Sequence, residues 1–204
     1  NGTPISYARE GQINEMMLYD HRSFDPHMGG SSYDSGVAGN SGRWVHIAWS
    51  WDSVTGTSIM YKNGTPVHTN SNFRTAYSMI QDGVFLLGQE QDSLGGSFET
   101  SQAYLGELDN LALWNTVRTP AQIQSDLASG LSGSESGLVG YWNFEDGTAN
   151  DLTDLSNDIA LFGNCSVQTS DRASDPSSQS SYPTTFEYAV ISNGIYYVRV
   201  RDAR

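Results

Sequence analysis

The sequence holds one cysteine, Cys165, among 204 residues, so no disulfide can form within the chain. It is also short of charge. Asp, Glu, Lys and Arg make up 16% of the residues, and the ten basic side chains are outnumbered by 23 acidic ones, for a formal net charge of −13. No cluster of Lys or Arg interrupts that balance. Such a surface repels phosphate backbones and anionic lipid, which argues against nucleic acid as a partner. Long apolar runs are missing as well. None approaches the ~18 residues of a spanning helix, so no membrane insertion is expected. No secretory leader pattern is visible and the first residue is Asn1, so the chain reads as a piece of a longer polypeptide.

What the chain does have is apolar and aromatic material for a core, 37% and 11% of its residues. Disorder is therefore not expected for most of it. Surface polarity comes mainly from Ser, Thr, Asn, Gln and Gly, which suits a β-rich protein in a secreted or cell-surface setting. Three N-x-S/T triplets, at Asn1, Asn63 and Asn164, are glycosylation candidates and point the same way. Asn63-Gly64 is a hairpin turn before it is anything else.

Alternation with a period of two dominates. ISYARE (5–10) and EMMLYD (15–20) flank GQIN as a hairpin. RWVHIAWSWD (43–52) sets Trp44, His46, Ala48 and Ser50 on one face and Val45, Ile47, Trp49 and Trp51 on the other. TSIMYK (57–62), Asn63-Gly64 and TPVHT (65–69) form a second hairpin, and VFLLG (84–88) and YLGELDNLALWN (104–115) are further strands. One helix is predicted. Thr119 is its N-cap, Pro120 its first residue and Gln122 the capping-box partner, with Ile123 and Leu127 one turn apart. Many strands and a single short helix define an all-β, antiparallel two-sheet sandwich. GLVGYWNFEDG (137–147) adds an apolar strand. Residues 165–185 are Ser/Pro-rich and read as a linker, and 186–204 read as a β-hairpin of a following domain.

The most distinctive stretch is LGQEQDSLGGSFETSQ, 87–102, with carboxylates at Glu90, Asp92 and Glu99 and amides at Gln89, Gln91 and Gln102. Oxygen donors without imidazole or thiolate suit a hard cation such as calcium rather than zinc. In an extended chain Glu90 and Asp92 project to one side, and Gly95-Gly96 lets the chain reverse to bring Glu99 and Gln102 back. Composition alone gives about two carboxylates in such a window, so a solvated acidic loop stays open on the residues alone. The loop is not an EF-hand, because Leu94 and Ser101 fall where that loop needs oxygen ligands.

The same stretch, continuing into YLGELDNLALWN, resembles the calcium loop and following strand of pentraxins, and GRWVHIAWSWDSVTGTSIMYKNGTPV (42–67) is similar to the region before it. The likeness runs from about Ser6 to about Leu127. It implies a laminin-G-like, concanavalin A-like jelly roll over residues 1–164, with two adjacent calcium ions. Glu90 and Asp92 would bridge both ions, the Gln91 main-chain carbonyl would serve the first, and Glu99 with Gln102 the second. Pentraxins place an Asp-Asn pair after the first hairpin turn, and this chain has Ile13-Asn14. Asn14 matches the pattern, while Ile13 removes a carboxylate from the first ion. Ala48 stands where pentraxins carry half of a disulfide. The early strands of the family domain would have to precede Asn1 or be supplied otherwise. GLVGYWNFEDG resembles the first strand of laminin-G-like repeats, so 137–164 either close the sandwich as a permuted strand or begin a following repeat.

In that family the ion presents open coordination positions to a saccharide or to a phosphorylated or otherwise anionic ligand, beside an apolar wall. Tyr19 aligns with an aromatic position of the wall, with Asp20, His21 and Asp25 nearby. The resemblance implies a non-enzymatic, lectin-like or adhesion module of an extracellular multidomain protein. It would adjoin other domains of the same chain and could assemble with further copies, since pentraxins form rings. Two other readings stand beside it. One is a structural sandwich that has lost its ions. The other is a jelly-roll glycosidase, whose paired Glu motif starts at Glu107 and Asp109 but lacks its second Glu.

Overall fold

A computed structural model describes residues 2–168 and the backbone of 194–202. The first hairpin joins β1 (Ile5–Arg9) to β2 (Gln12–Tyr19), and β3 (Asp25–Met28) and β4 (Ser31–Ser32) continue the meander. The second hairpin follows β5 (Val45–Asp52) and consists of β6 (Thr57–Lys62) and β7 (Thr65–Asn70), turning at Asn63-Gly64 with φ of 51° and 73°. These are the left-handed angles such a turn needs, and Asn and Gly adopt them most readily. Next come β8 (Val84–Leu87), β9 (Gly106–Trp114), the helix α1 (Pro120–Ser129), β10 (Leu138–Trp142) and β11 (Gly194–Asp202).

The strands form two antiparallel sheets, ordered β4-β3-β2-β1-β8 and β10-β9-β11-β5-β6-β7. This is the two-sheet jelly-roll sandwich with one short helix that the sequence predicts. The alternation in β5 explains how the layers meet. Val45, Ile47, Trp49 and Trp51 enter the core between the sheets, together with Ile5, Met16, Leu18, Met28 and Leu111. Ala48, on the opposite face, packs with Tyr61, Ala112, Trp114 and Ile123 under α1. Both faces of β5 are thus buried, and Trp49 and Trp51 are fully enclosed.

Helix α1 starts as its sequence predicts. The Thr119 hydroxyl accepts from Gln122 N, and the Gln122 side chain accepts from Thr119 N, closing the capping box. Arg118 stacks on the Trp114 ring and ion-pairs with buried Asp126, which locks the helix to the sheet. Thr119→Ala removes one cap bond and is expected to cost about 1 kcal/mol. Thermal denaturation should show this as a fall of about 2–4 °C in Tm.

Two placements bear on how the chain divides. β10 pairs antiparallel with β9, Leu138 opposite Trp114 and Trp142 opposite Leu111. Trp142 lies 2% exposed in the core between the sheets. Residues 138–142 therefore take part in this sandwich. The C-terminal strand departs from the expectation of a following domain for 186–204. β11 lies between β5 and β9, with Val198 opposite Ile47 and Tyr197 opposite Ala112. A strand paired on both sides satisfies its ladder in full, whereas an isolated hairpin is only marginally stable. The other half of the expected hairpin, and 169–185 of the expected linker, lie outside the described residues.

Candidate functional site

The oxygen-rich loop lies on the outer face of the five-stranded sheet. Ile5, Met16, Leu18 and Met28 face the core, so the alternate positions Ser6, Met17, Tyr19 and His27 point away from it. The loop folds onto this face and is tied there. The Ser6 hydroxyl donates to the Gln89 carbonyl at 2.7 Å. Gln91, fully buried, donates from Nε2 to Ser6 Oγ at 3.1 Å and to the Val84 carbonyl at 3.0 Å, while its Oε1 accepts from Gly95 N at 2.9 Å. Ser93 and Gly96 exchange both backbone hydrogen bonds, and Gly95 sits at φ 66°. The chain reverses where its glycine pair predicts.

No strand covers 88–92, and the Gln91 side chain is turned into the sheet. Glu90 is 3% exposed, whereas Asp92 and Glu99 are open to solvent. The three still sense one another. Burial raises the Glu90 carboxyl above its ordinary range, the charge of Asp92 adds to that, and Glu99 contributes a smaller share. Glu90 Oε2 is buried and accepts no hydrogen bond. The Gln89 amide donates to the Glu99 carbonyl at 3.2 Å, and Gln102 N donates to the same oxygen at 3.0 Å, where Thr100–Gln102 form a 3-10 turn.

Two further oxygens are stranded in the same way. Gln102 Oε1 and Asn14 Oδ1 are buried with no partner. Asn14 stands in a bulge. Tyr7 pairs with Met16 and Arg9 with Gln12, so Ile13, Asn14 and Glu15 all oppose Ala8. A bulge of this kind re-aims side chains near the end of a strand. Buried oxygens without donors are costly. Here three of them belong to residues for which the resemblance implies a place around two adjacent ions. Among the described residues no three His, Cys, Asp or Glu side chains stand close enough to hold an ion by themselves. Any cation held here therefore relies on the amides and a main-chain carbonyl as well as on carboxylates. The donor set, all oxygen, fits calcium.

The neighbourhood of Tyr19 sorts structural from available groups. His21 is not free for a ligand: it is buried, its Nδ1 lies 3.4 Å from the Gly2 carbonyl, and its ring meets Tyr104 edge-on. Asp20 is held by Arg22. Tyr19 stays half-buried and meets His27 edge-on, centroids 6.2 Å apart. Burial pushes the His27 imidazole down to about 4, so it is neutral at physiological pH. His27 is a residue that sequence reasoning missed. Its only signal was its place in DPHM, one of two alternate positions on the outer face of β3. Of the glycosylation candidates, Asn63 is exposed with its Oδ1 accepting from His46 N, Asn164 is exposed, and Asn1 lies outside the described residues.

An antiparallel two-sheet jelly roll with an oxygen-rich loop folded onto the outer face of one sheet defines the class of β-sandwich. Comparison with known proteins gives the family. The Pentaxin family model matches residues 3–139, and the chain belongs to the pentraxin family. It is 34% identical over 143 residues to neuronal pentraxin-1 of Rattus norvegicus, which covers 69% of this chain and 33% of that protein. It is 35% identical over 123 residues to serum amyloid P-component of Homo sapiens, covering 59% of this chain and 55% of that one. The crystal structure of a native heptameric SAP-like pentraxin from Limulus polyphemus matches with a TM-score of 0.51 and 25% identity, over 61% of this chain and 62% of that one. The chain thus spans between a third and somewhat over half of the length of these relatives.

Proposed function

We propose that this chain is a calcium-dependent, non-enzymatic binding module that captures a saccharide or a phosphate-bearing anionic ligand outside the cell. The observation that carries the reading is the set of stranded buried oxygens, Glu90 Oε2, Gln102 Oε1 and Asn14 Oδ1, on residues that match the pentraxin calcium motif. Glu90 and Asp92 would bridge two ions, with Glu99 and Gln102 serving one and the Gln91 carbonyl and Asn14 the other, which Ile13 deprives of a carboxylate. When bound, calcium supplies open coordination positions to an anion or a pair of hydroxyls. The chain's own part is to exclude water beneath Glu90 and to line the outer face of the sheet. Tyr19 offers an aromatic wall, and the neutral His27 ring offers a hydrogen bond that does not depend on charge. The extracellular assignment is supported by the serum named for one relative and by the N-x-S/T triplets; no described helix is long and apolar enough to cross a membrane. Assembly with further copies belongs to the same proposal, on the strength of the heptameric relative.

Calorimetric titration of the whole chain with calcium tests the reading, and it should report one strong site per chain. Ile13→Asp restores the missing carboxylate and is expected to add a second site or tighten the weaker one about tenfold, since ligand charge sets calcium affinity. A glycan array with and without calcium then separates saccharide from phosphate ligands. Ile13 favours a second reading, a sandwich retained for adhesion after its ions were lost. Absence of any binding heat in both proteins would establish that alternative.

A further inference from the structure

We infer that Ser6 is the positioning residue of the cation loop, acting through Gln91; the inference rests on the calcium reading above. The hydrogen-bond directions around its hydroxyl are forced. A carbonyl can only accept, so the Ser6 proton goes to Gln89 O; an amide Nε2 can only donate, so Gln91 gives one proton to Ser6 Oγ. The second Nε2 proton goes to Val84 O on β8, and Gln91 Oε1 takes the Gly95 amide. One fully buried amide therefore joins β1, β8 and the glycine turn. Gln91 spends its whole side chain in this way, which leaves only its main-chain carbonyl to face a cation.

The two braced residues, Gln89 and Gln91, flank Glu90. Its carboxylate is buried and repelled by Asp92 and Glu99. Such a segment gains by swinging outward into water, and the Ser6–Gln91 brace opposes that motion in the cation-free protein. Ser6 thus keeps the loop in its binding shape before any ion arrives. Groups that orient ligands without touching the metal typically change affinity 10–100-fold when removed. Ser6 carries no charge, its hydroxyl is engaged by Gln89 and Gln91, and it lies more than eighty residues from the loop in sequence.

The test compares the full chain with Ser6→Ala, with the near-isosteric Ser6→Cys, whose thiol is a weak donor, and with Thr119→Ala, which removes a cap bond of α1 on the opposite sheet. Two quantities are measured well below melting: calcium affinity by calorimetry, and hydrogen exchange of the Gly95 amide without calcium. Ser6→Ala is expected to bind calcium at least about tenfold more weakly and to exchange Gly95 at least about tenfold faster. Ser6→Cys should move in the same direction and serves if the alanine variant does not fold. Thr119→Ala should match wild type in both. Wild-type affinity and exchange in the Ser6 variants would overturn the positioning role while leaving the calcium reading intact. A wild-type chain that binds no calcium would overturn both.

Discussion

Glu90→Gln is expected to abolish the rise in melting temperature that calcium gives the wild-type chain and, in chelator, to melt above wild type. The two halves have one cause. Glu90 is 3% exposed, its Oε2 has no donor, and its charge meets those of Asp92 and Glu99. Without a cation the ionised form destabilises the fold, and a neutral amide of the same shape removes that penalty. With calcium the ionised form is the ligand. At a concentration a hundred times Kd, binding to the native state alone adds about 2.7 kcal/mol. For a domain of this size that corresponds to roughly 5–10 °C. The variant should show none of it. Melting curves of both proteins in calcium and in chelator should therefore cross over. Parallel shifts of the two proteins in calcium would disprove the assignment of Glu90.

The pH dependence has the same origin. The folded-state pKa of Glu90 is raised, chiefly by burial. The folded chain therefore binds a proton more readily than the unfolded one, and calcium-free stability rises as pH falls from neutral towards the ordinary carboxylate range. The calcium increment behaves in the opposite way, because protons compete for the ligand. Over that window the chelated and loaded proteins should draw together.

Legibility in the sequence followed the range of the forces involved. The capping box at Thr119 and Gln122, the Asn63-Gly64 turn and the two faces of β5 are decided within a few residues, and the structure has them where the sequence predicts. The loop's glycine reversal was readable for the same reason. What the sequence could not indicate was which side chains the loop spends on holding itself in place. Gln91 looks like one more oxygen donor until Ser6, Val84 and Gly95 are seen around it. Glu15 likewise looks like a solvated strand residue. It is instead wholly buried, gripped by Arg9, the Tyr77 hydroxyl and Ile80 N. Its partners lie up to 65 residues away, beyond any periodicity. β11 is the same problem at the scale of a strand. Its alternation says strand, but only the pairing with β5 and β9 says which sheet.

Asp151→Ala is expected to produce the largest loss of stability outside the apolar core, about 3–4 kcal/mol and on the order of 10 °C in Tm. Its carboxylate, 9% exposed, accepts from Tyr141 N and Thr153 N through Oδ1, and from the Thr153 hydroxyl, Asn157 N and Asn157 Nδ2 through Oδ2. Removing it strands all of these donors at once. The same donors position Asn157, whose carbonyl takes the Trp142 indole proton and whose amide bonds Val139 O. Trp142 in turn stacks on Phe85 of the other sheet, centroids 6.4 Å apart. One carboxylate thus connects a polar turn to the core between the sheets. Burial raises its pKa, but the bonds from Thr153, Tyr141 and Asn157 outweigh burial and hold it below the ordinary value of 3.8. The stability it contributes is therefore fully present above that value and is lost as pH falls through the lower folded one. Asp154→Ala, three residues on and exposed, should stay within about 0.5 kcal/mol of wild type. The comparison decides what 137–164 are. If they close the sandwich, Asp151→Ala lowers the single main transition and exposes Phe85 and Trp142 together. If they instead begin an independent unit, that transition stays in place and only the fluorescence of Trp142 changes.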